Sequence, residues 1–308
     1  MRGTLEQPEE PIRTNERNTV KSLESAASRL RRRLRTIIDD LCRLAESAPI
    51  AAADRGSNVV FIVPGHFWDR LSDEQRVRQI GIKRAYEPVV ELLWLLLAQA
   101  PADLVDQFTS ADQEFRKWIE FESNWSLEPV PASNDAKIRA AGAALDAIVA
   151  VLAAYGAAEV LVVPDTNVLL DHPGPTAYRA IVSSDSFSFI LLPTVMSELD
   201  RLKIEHRNLE VREKAKAAVT RIKGWRRQGS LMTGVTVDRT ITVKTRHNEP
   251  DMNRTLRWLD RDVADDRIVA CVVALQTDYP ACRVVLVTGD INLQNKADAA
   301  FVETADAP

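Results

Sequence analysis

The sequence predicts two fold classes in series: an all-α region, then an α/β unit built on a parallel sheet. Three observations carry this. The first half places its apolar residues at helical spacing. The second half alternates short β-branched runs with helical stretches, the pattern of a parallel sheet flanked by helices. The chain's 308 residues suffice for two compact domains of roughly 100–200 residues each. The resulting plan is a disordered N-terminus (1–18), a helical domain (19–156), an α/β domain (157–303) and a tail (304–308).

Residues 1–18 are polar, contain Pro8 and Pro11, and have too little apolar surface to bury. Apolar positions then fall at Leu23, Ala27, Leu30, Leu34, Ile37, Leu41 and Leu44, alternating spacings of four and three over three heptads. Such a 23–44 helix serves either self-association as a coiled coil or docking on its own domain. Docking is favoured, because three heptads is the lower limit for a coiled coil. Ser72 and Gln75 have capping-box spacing, in which each side chain satisfies a free amide at a helix start; Val77, Ile80 and Tyr86 follow. Pro88 opens a second helix through Leu97, since a first-turn proline loses no helix hydrogen bond, and Pro101 ends it. Leu104, Val105, Phe108, Phe115, Trp118 and Ile119 mark another helix; Ile138, Leu145, Ile148, Val149 and Leu152 mark one more. This half holds no chemical motif, and a protein partner for it stays open.

The character changes near Gly156. Strands are expected at Val160–Val163, Phe187–Leu192 and Val284–Val287. Between the last two lie a helix-rich stretch (201–227), a two-strand excursion (Val235–Val237, Thr240–Val243) and a helix (Ala264–Leu275).

Composition excludes several classes. The hydrophobic share of 45% and charged share of 27% are those of an ordinary globular protein. A net charge of −4 makes any basic surface a local one. Cys42, Cys271 and Cys282 are far apart and form no C-x-x-C pair, so neither a disulfide framework nor a zinc site is expected. The charged N-terminus has no apolar core of a secretory signal. Val89–Ala98, the most apolar run, is half the ~20 residues a membrane span needs and contains Glu91. A cytoplasmic protein without membrane association is expected.

The acids carry the chemistry. Asp165 follows the first strand in VLVVPDTN, and Asp290 the last in VVLVTGD; Glu198 lies one turn into the helix after the second strand. Ligands of open parallel sheets bind beyond the carboxyl ends of the strands, near the topological switch point, so these acids can converge, and Asp266 can join from the start of the Ala264 helix. Converging carboxylates repel unless a cation sits among them. Oxygen-only ligands select Mg²⁺ or Mn²⁺ over zinc. Such a centre supports phosphodiester hydrolysis, because the metal acidifies a water and stabilises charge on the phosphate oxygens. Any one of these Asp residues alone reads better as a helix cap; four acids in this order read better as a metal site.

PDTNVLL, LLPTVMSELDRLK, DDRIVACVVAL and VVLVTGDINLQNKA, in this order, resemble the motif set of PIN-domain ribonucleases, most closely the PhoH-associated type. The likeness covers about residues 159–303. It implies a three-layer α/β/α fold with a parallel sheet, endonucleolytic RNA cleavage leaving a 5′-phosphate, and one or two Mg²⁺ or Mn²⁺ ions. By motif position it implies that Asp165, Glu198, Asp266 and Asp290 are the metal-binding, catalytic acids, with Asp265 the alternate for the third place. Asn167, Thr288 and Asn292 stand where the family places polar helpers. Asn292 replaces a second acid found in many members, which leaves the second ion open.

Residues 201–227 hold ten Lys or Arg against three Glu. A basic surface beside an acidic metal centre suits RNA, since it attracts the backbone and leaves the carboxylates to the metal. Arg207, Arg212, Lys216, Arg221 and Lys223 are the candidates, against an ordinary solvated helix face. Trp225 offers a stacking surface, although a core anchor is the commoner use. RNA contact and plain solvation are balanced for Arg29, Arg31, Arg32, Arg33 and Arg35. Three other readings remain: a non-catalytic RNA-binding or assembly module, a flap-type DNA nuclease, and a toxin-type ribonuclease.

Overall fold

In the computed structural model, which describes residues 24–52, 65–122, 127–155 and 159–308, the heptad stripe faces its own chain. Helix α1 (Ala26–Ser47) begins where Ser25 Oγ accepts the amide of Ser28, at 3.2 Å. It buries Ala27, Leu30, Leu34, Ile37, Leu41 and Leu44 to 2% exposure or less, against helices α2 (Asp73–Leu96) and α4 (Asp135–Ala153). Helix α3 (Ala102–Ile119) completes this half through Phe108, Phe115, Trp118 and Ile119. The expectations for residues 1–18, Leu23 and Gly156 lie outside the described residues.

The capping box at Ser72 forms: Ser72 Oγ accepts from Gln75 N, and Gln75 Oε1 accepts from Ser72 N at 2.9 Å. The expected restart at Pro88 does not occur, because α2 is one 24-residue helix with Pro88 inside it. An internal proline forfeits a hydrogen bond and crowds the carbonyl four residues back. Burial of Tyr86, Val89, Val90, Leu92, Leu93 and Leu96 on the continuous helix offsets that cost. Val77 and Ile80 are exposed. The all-α expectation also misses a short antiparallel pair, β1 (Ile50–Ala52) with β2 (His66–Trp68), whose three-residue strands are too brief to show a period. Among the described residues no helix is long and apolar enough to cross a membrane.

The arginines of α1 make intrachain contacts. Arg31 pairs with Asp146 of α4 at 2.7 Å, and Arg32 pairs with Glu24. Arg29 donates to Phe301 O at 3.1 Å and lies 3.3 Å from Glu303, while the Arg33 guanidinium sits 5.9 Å from the centre of the Phe301 ring. They tie the helical half to the end of the second half.

That second half is α/β. Strands β3 (Val160–Pro164), β4 (Phe187–Leu191), β5 (Val235–Asp238), β6 (Ile241–Thr245), β7 (Arg283–Val287) and β8 (Glu303–Ala305) form a sheet in the order β5-β6-β4-β3-β7-β8. All neighbours are parallel except β5 and β6. In β4 and β7 every residue is buried, as expected of strands covered on both faces. Helices α5 (Thr166–Asp171), α6 (Arg179–Val182), α7 (Pro193–Glu205), α8 (Leu209–Arg226), α9 (Ala264–Asp278) and α10 (Ile291–Ala299) connect and flank the strands. Thr304 and Ala305, assigned above to a tail, belong to β8; its pairing runs through backbone groups and leaves no hydrophobic pattern to read.

Candidate metal centre

Strand order reverses between β3 and β7: β4 and β6 lie on one side of β3, β7 and β8 on the other. The two strands are paired from Val160–Arg283 to Pro164–Val287, and the ladder runs one bond further, from Asp165 N to Val287 O at 3.0 Å. Residues 165 and 288–290 therefore leave the sheet side by side at its switch point, where open α/β sheets bind ligands.

One hydroxyl links the two acids there. Thr288 is fully buried; its Oγ1 donates to Asp165 Oδ2 and accepts from Asp290 N at 3.0 Å. Asp165, 4% exposed, caps α5 by accepting from Val168 N at 2.7 Å. Asp290 is exposed and caps α10, accepting from Asn292 N at 2.7 Å and Leu293 N at 3.3 Å. The capping and metal-binding readings of these residues are thus compatible, because each retains free lone pairs.

Glu198, on α7 after β4, is half-buried and accepts from Thr166 Oγ1. Burial pushes the Asp165 carboxyl above its ordinary range; the Thr288 and Val168 hydrogen bonds oppose this, and the charges of Asp290 and Glu198 add to it. Asp290 and Glu198 thus act electrostatically on Asp165.

Asp266 is placed differently. It is 5% exposed in the first turn of α9, with Oδ1 2.6 Å from Lys296 Nζ and Oδ2 accepting from Asp260 N at 2.8 Å. Lys296 also lies 3.7 Å from Asp265. Its bond to Asp266 holds the ammonium above the ordinary lysine range. The third acid and its alternate therefore already share a cation.

The donor chemistry fits a hard divalent ion at Asp165, Glu198 and Asp290: three carboxylates, all oxygen, with no Lys or Arg partner among the described residues. Asp266 fits less directly. No group of three or more His, Cys, Asp or Glu among the described residues is gathered tightly enough to hold an ion as it stands.

Of the expected helpers, Thr288 touches two acids, and Asn292 contributes its backbone amide. Asn167 is exposed and bonds none of the acids; Thr166, passed over in the sequence, does so instead. That bond joins residues 32 apart, and no local spacing announces it.

The basic candidates lie on α8 and the turn before it. Helix α8 packs beside α5 and α7, and Lys214 pairs with Asp171 at the end of α5 at 2.9 Å. Arg207, Arg221 and Lys223 are exposed without an acidic partner among the described residues, Lys216 pairs with Glu213 at 2.8 Å, and Arg212 is half-buried. Trp225 is no stacking surface: it is 7% exposed, edge-on to Phe189 in the core.

The family model described as PIN domain matches residues 162–307. No curated protein matches the chain.

Proposed function

Because residues 162–307 belong to the PIN domain family, a fold generally of metal-dependent nucleases, we propose that the chain is an endoribonuclease dependent on Mg²⁺ or Mn²⁺. One observation carries this reading: at the sheet's switch point buried Asp165 lies in the field of Glu198 and Asp290, and none of the three has a Lys or Arg partner among the described residues. A bound divalent ion would neutralise these carboxylates, acidify a water and stabilise charge on the phosphate oxygens. The chain's own part is to hold the donors. Thr288 fixes Asp165 against Asp290, Thr166 orients Glu198, and Lys296 pairs with Asp266. Arg207, Arg221 and Lys223 supply positive charge for the RNA backbone.

The test is incubation of the full chain with labelled single-stranded RNA and matched DNA in Mg²⁺, Mn²⁺ or EDTA, beside Asp165→Asn/Asp290→Asn. Metal-dependent RNA cutting that vanishes in the double variant is expected. Cutting of DNA alone would reassign the chain to the flap-type class. A second reading, a non-catalytic RNA-binding module, is favoured by the Asp266–Lys296 pair and by the open spacing of the acids. RNA binding without cutting under any metal would select it.

A further inference from the structure

We propose that the loop 251–263 is a fixed platform on which Trp258 stacks a base of a single-stranded nucleic acid threading toward the acid centre. This rests on the nuclease reading above. Trp258 is 44% exposed, yet its neighbours Leu256 and Leu259 are 3% and 8% exposed, so the loop is nailed down while the indole is left in solvent. Both flanks of Trp258 are held by polar bonds as well. Asp260 N donates to Asp266 Oδ2 at 2.8 Å, which places the indole two residues from a contact with a candidate metal ligand. Arg257 N donates to Glu91 Oε1 at 3.1 Å, so helix α2 of the other half helps to set the platform.

The surroundings suit a polyanion. Arg254, Arg257 and Arg261 are exposed and have no acidic partner among the described residues. The acids interleaved with them, Asp251, Asp260 and Asp262, are exposed too, and two of them are engaged by the loop's own backbone: Asp251 accepts from Asn253 N at 3.0 Å and Asp260 from Asp262 N at 2.9 Å. An exposed indole among guanidiniums matches the two needs of a single strand, a π-face for an unstacked base and cations for the flanking phosphates. A duplex hides its base faces and would gain nothing from the indole.

The experiment measures anisotropy of a labelled 12-nucleotide single-stranded RNA and of its duplex with the full chain in EDTA, where no cutting occurs. Cutting in Mg²⁺ or Mn²⁺ is followed in parallel. Trp258→Leu keeps bulk and removes the π-face; Trp258→Tyr restores a stacking ring. The leucine variant should bind the single strand about 5- to 150-fold more weakly. Tyrosine should recover most of the loss, duplex binding should not change, and thermal melts of the variants should match. Equal affinity of wild type and Trp258→Leu, with wild-type cutting intact, would overturn the platform, spare the nuclease reading and leave the surface to a protein partner. Wild type that neither binds nor cuts either strand would overturn both. A loss that tyrosine does not repair, or that appears equally on duplex, would also count against stacking.

Discussion

Replacing Asp165 by Asn should make the protein more stable without metal and less responsive to it. Asn is nearly isosteric, caps helices as well as Asp does, and keeps an oxygen for Val168 N. The Thr288 hydroxyl can turn to accept from the new amide. What disappears is a negative charge at 4% exposure facing Asp290 and Glu198. Because the Asp165 pKa is raised in the folded chain, the folded state holds that proton more tightly than the unfolded state does. The associated stabilisation is complete below the ordinary carboxylate range and is lost as pH rises through the raised value. Above the raised value, in EDTA, the wild type carries the ionised carboxylate at a cost that the variant escapes. A divalent ion reverses the order. At a hundred times its Kd, a ligand bound only by the folded state adds about 2.7 kcal/mol. At roughly 2–4 °C per kcal/mol this lifts the wild-type midpoint by about 5–11 °C, and the variant should gain little. Melts followed by circular dichroism between pH 5 and 8, in EDTA and across a Mn²⁺ titration, check both halves. A variant about 1 kcal/mol or more less stable than wild type at pH 8 in EDTA would refute the electrostatic argument. An equal Mn²⁺ shift in both proteins would refute the placement of the ion.

Lys296→Met should leave the Asp266 carboxylate without a counter-charge; as Lys296 is 30% exposed, the cost should be about 1–3 kcal/mol, below that of a fully buried pair. Calorimetric Mn²⁺ titration should then show tighter binding or an added ion, and an unchanged isotherm would show that Asp266 takes no part in metal binding. Glu303→Ala should cost about 3–5 kcal/mol in urea unfolding, because Glu303 serves the guanidiniums of Arg283 (2.6 Å) and Arg29 (3.3 Å), whose side chains are 7% and 12% exposed. A loss under about 1 kcal/mol would mean that water reaches both arginines.

What the sequence made legible follows from which interactions leave a period or a position behind. β3, β4 and β7 were readable because strands covered on both faces read as near-continuous apolar runs, and Asp165 and Asp290 because they follow those runs. The Ser72 box is a local motif and was equally open to reading. Pairings between distant residues leave no such trace. Nothing in the spacing of residues 266 and 296 announces an ion pair, nor does anything at residue 91 point to the amide of Arg257. Composition also misleads where burial decides the role: Trp225, set among cations, lies in the core, whereas Trp258 is exposed.

The distribution of ion pairs makes the strongest argument for where function lies. Arg31, Arg116, Arg139, Arg246 and Arg283 each face a carboxylate within 2.7 Å, so the fold does match acids with guanidiniums elsewhere. Asp165, Glu198 and Asp290 have no such partner among the described residues, in a place where matching would stabilise, since a buried carboxylate beside two others is costly. A stability-driven design would put an arginine there or replace Asp165 by Asn, which caps α5 as well. Sites that break the local rule without a compensating contact are the ones expected to be functional. Lys296 sharpens the contrast: the chain does carry a lysine into this neighbourhood, on the helix that Asp290 caps, and directs it to Asp266 while the other three acids stay open.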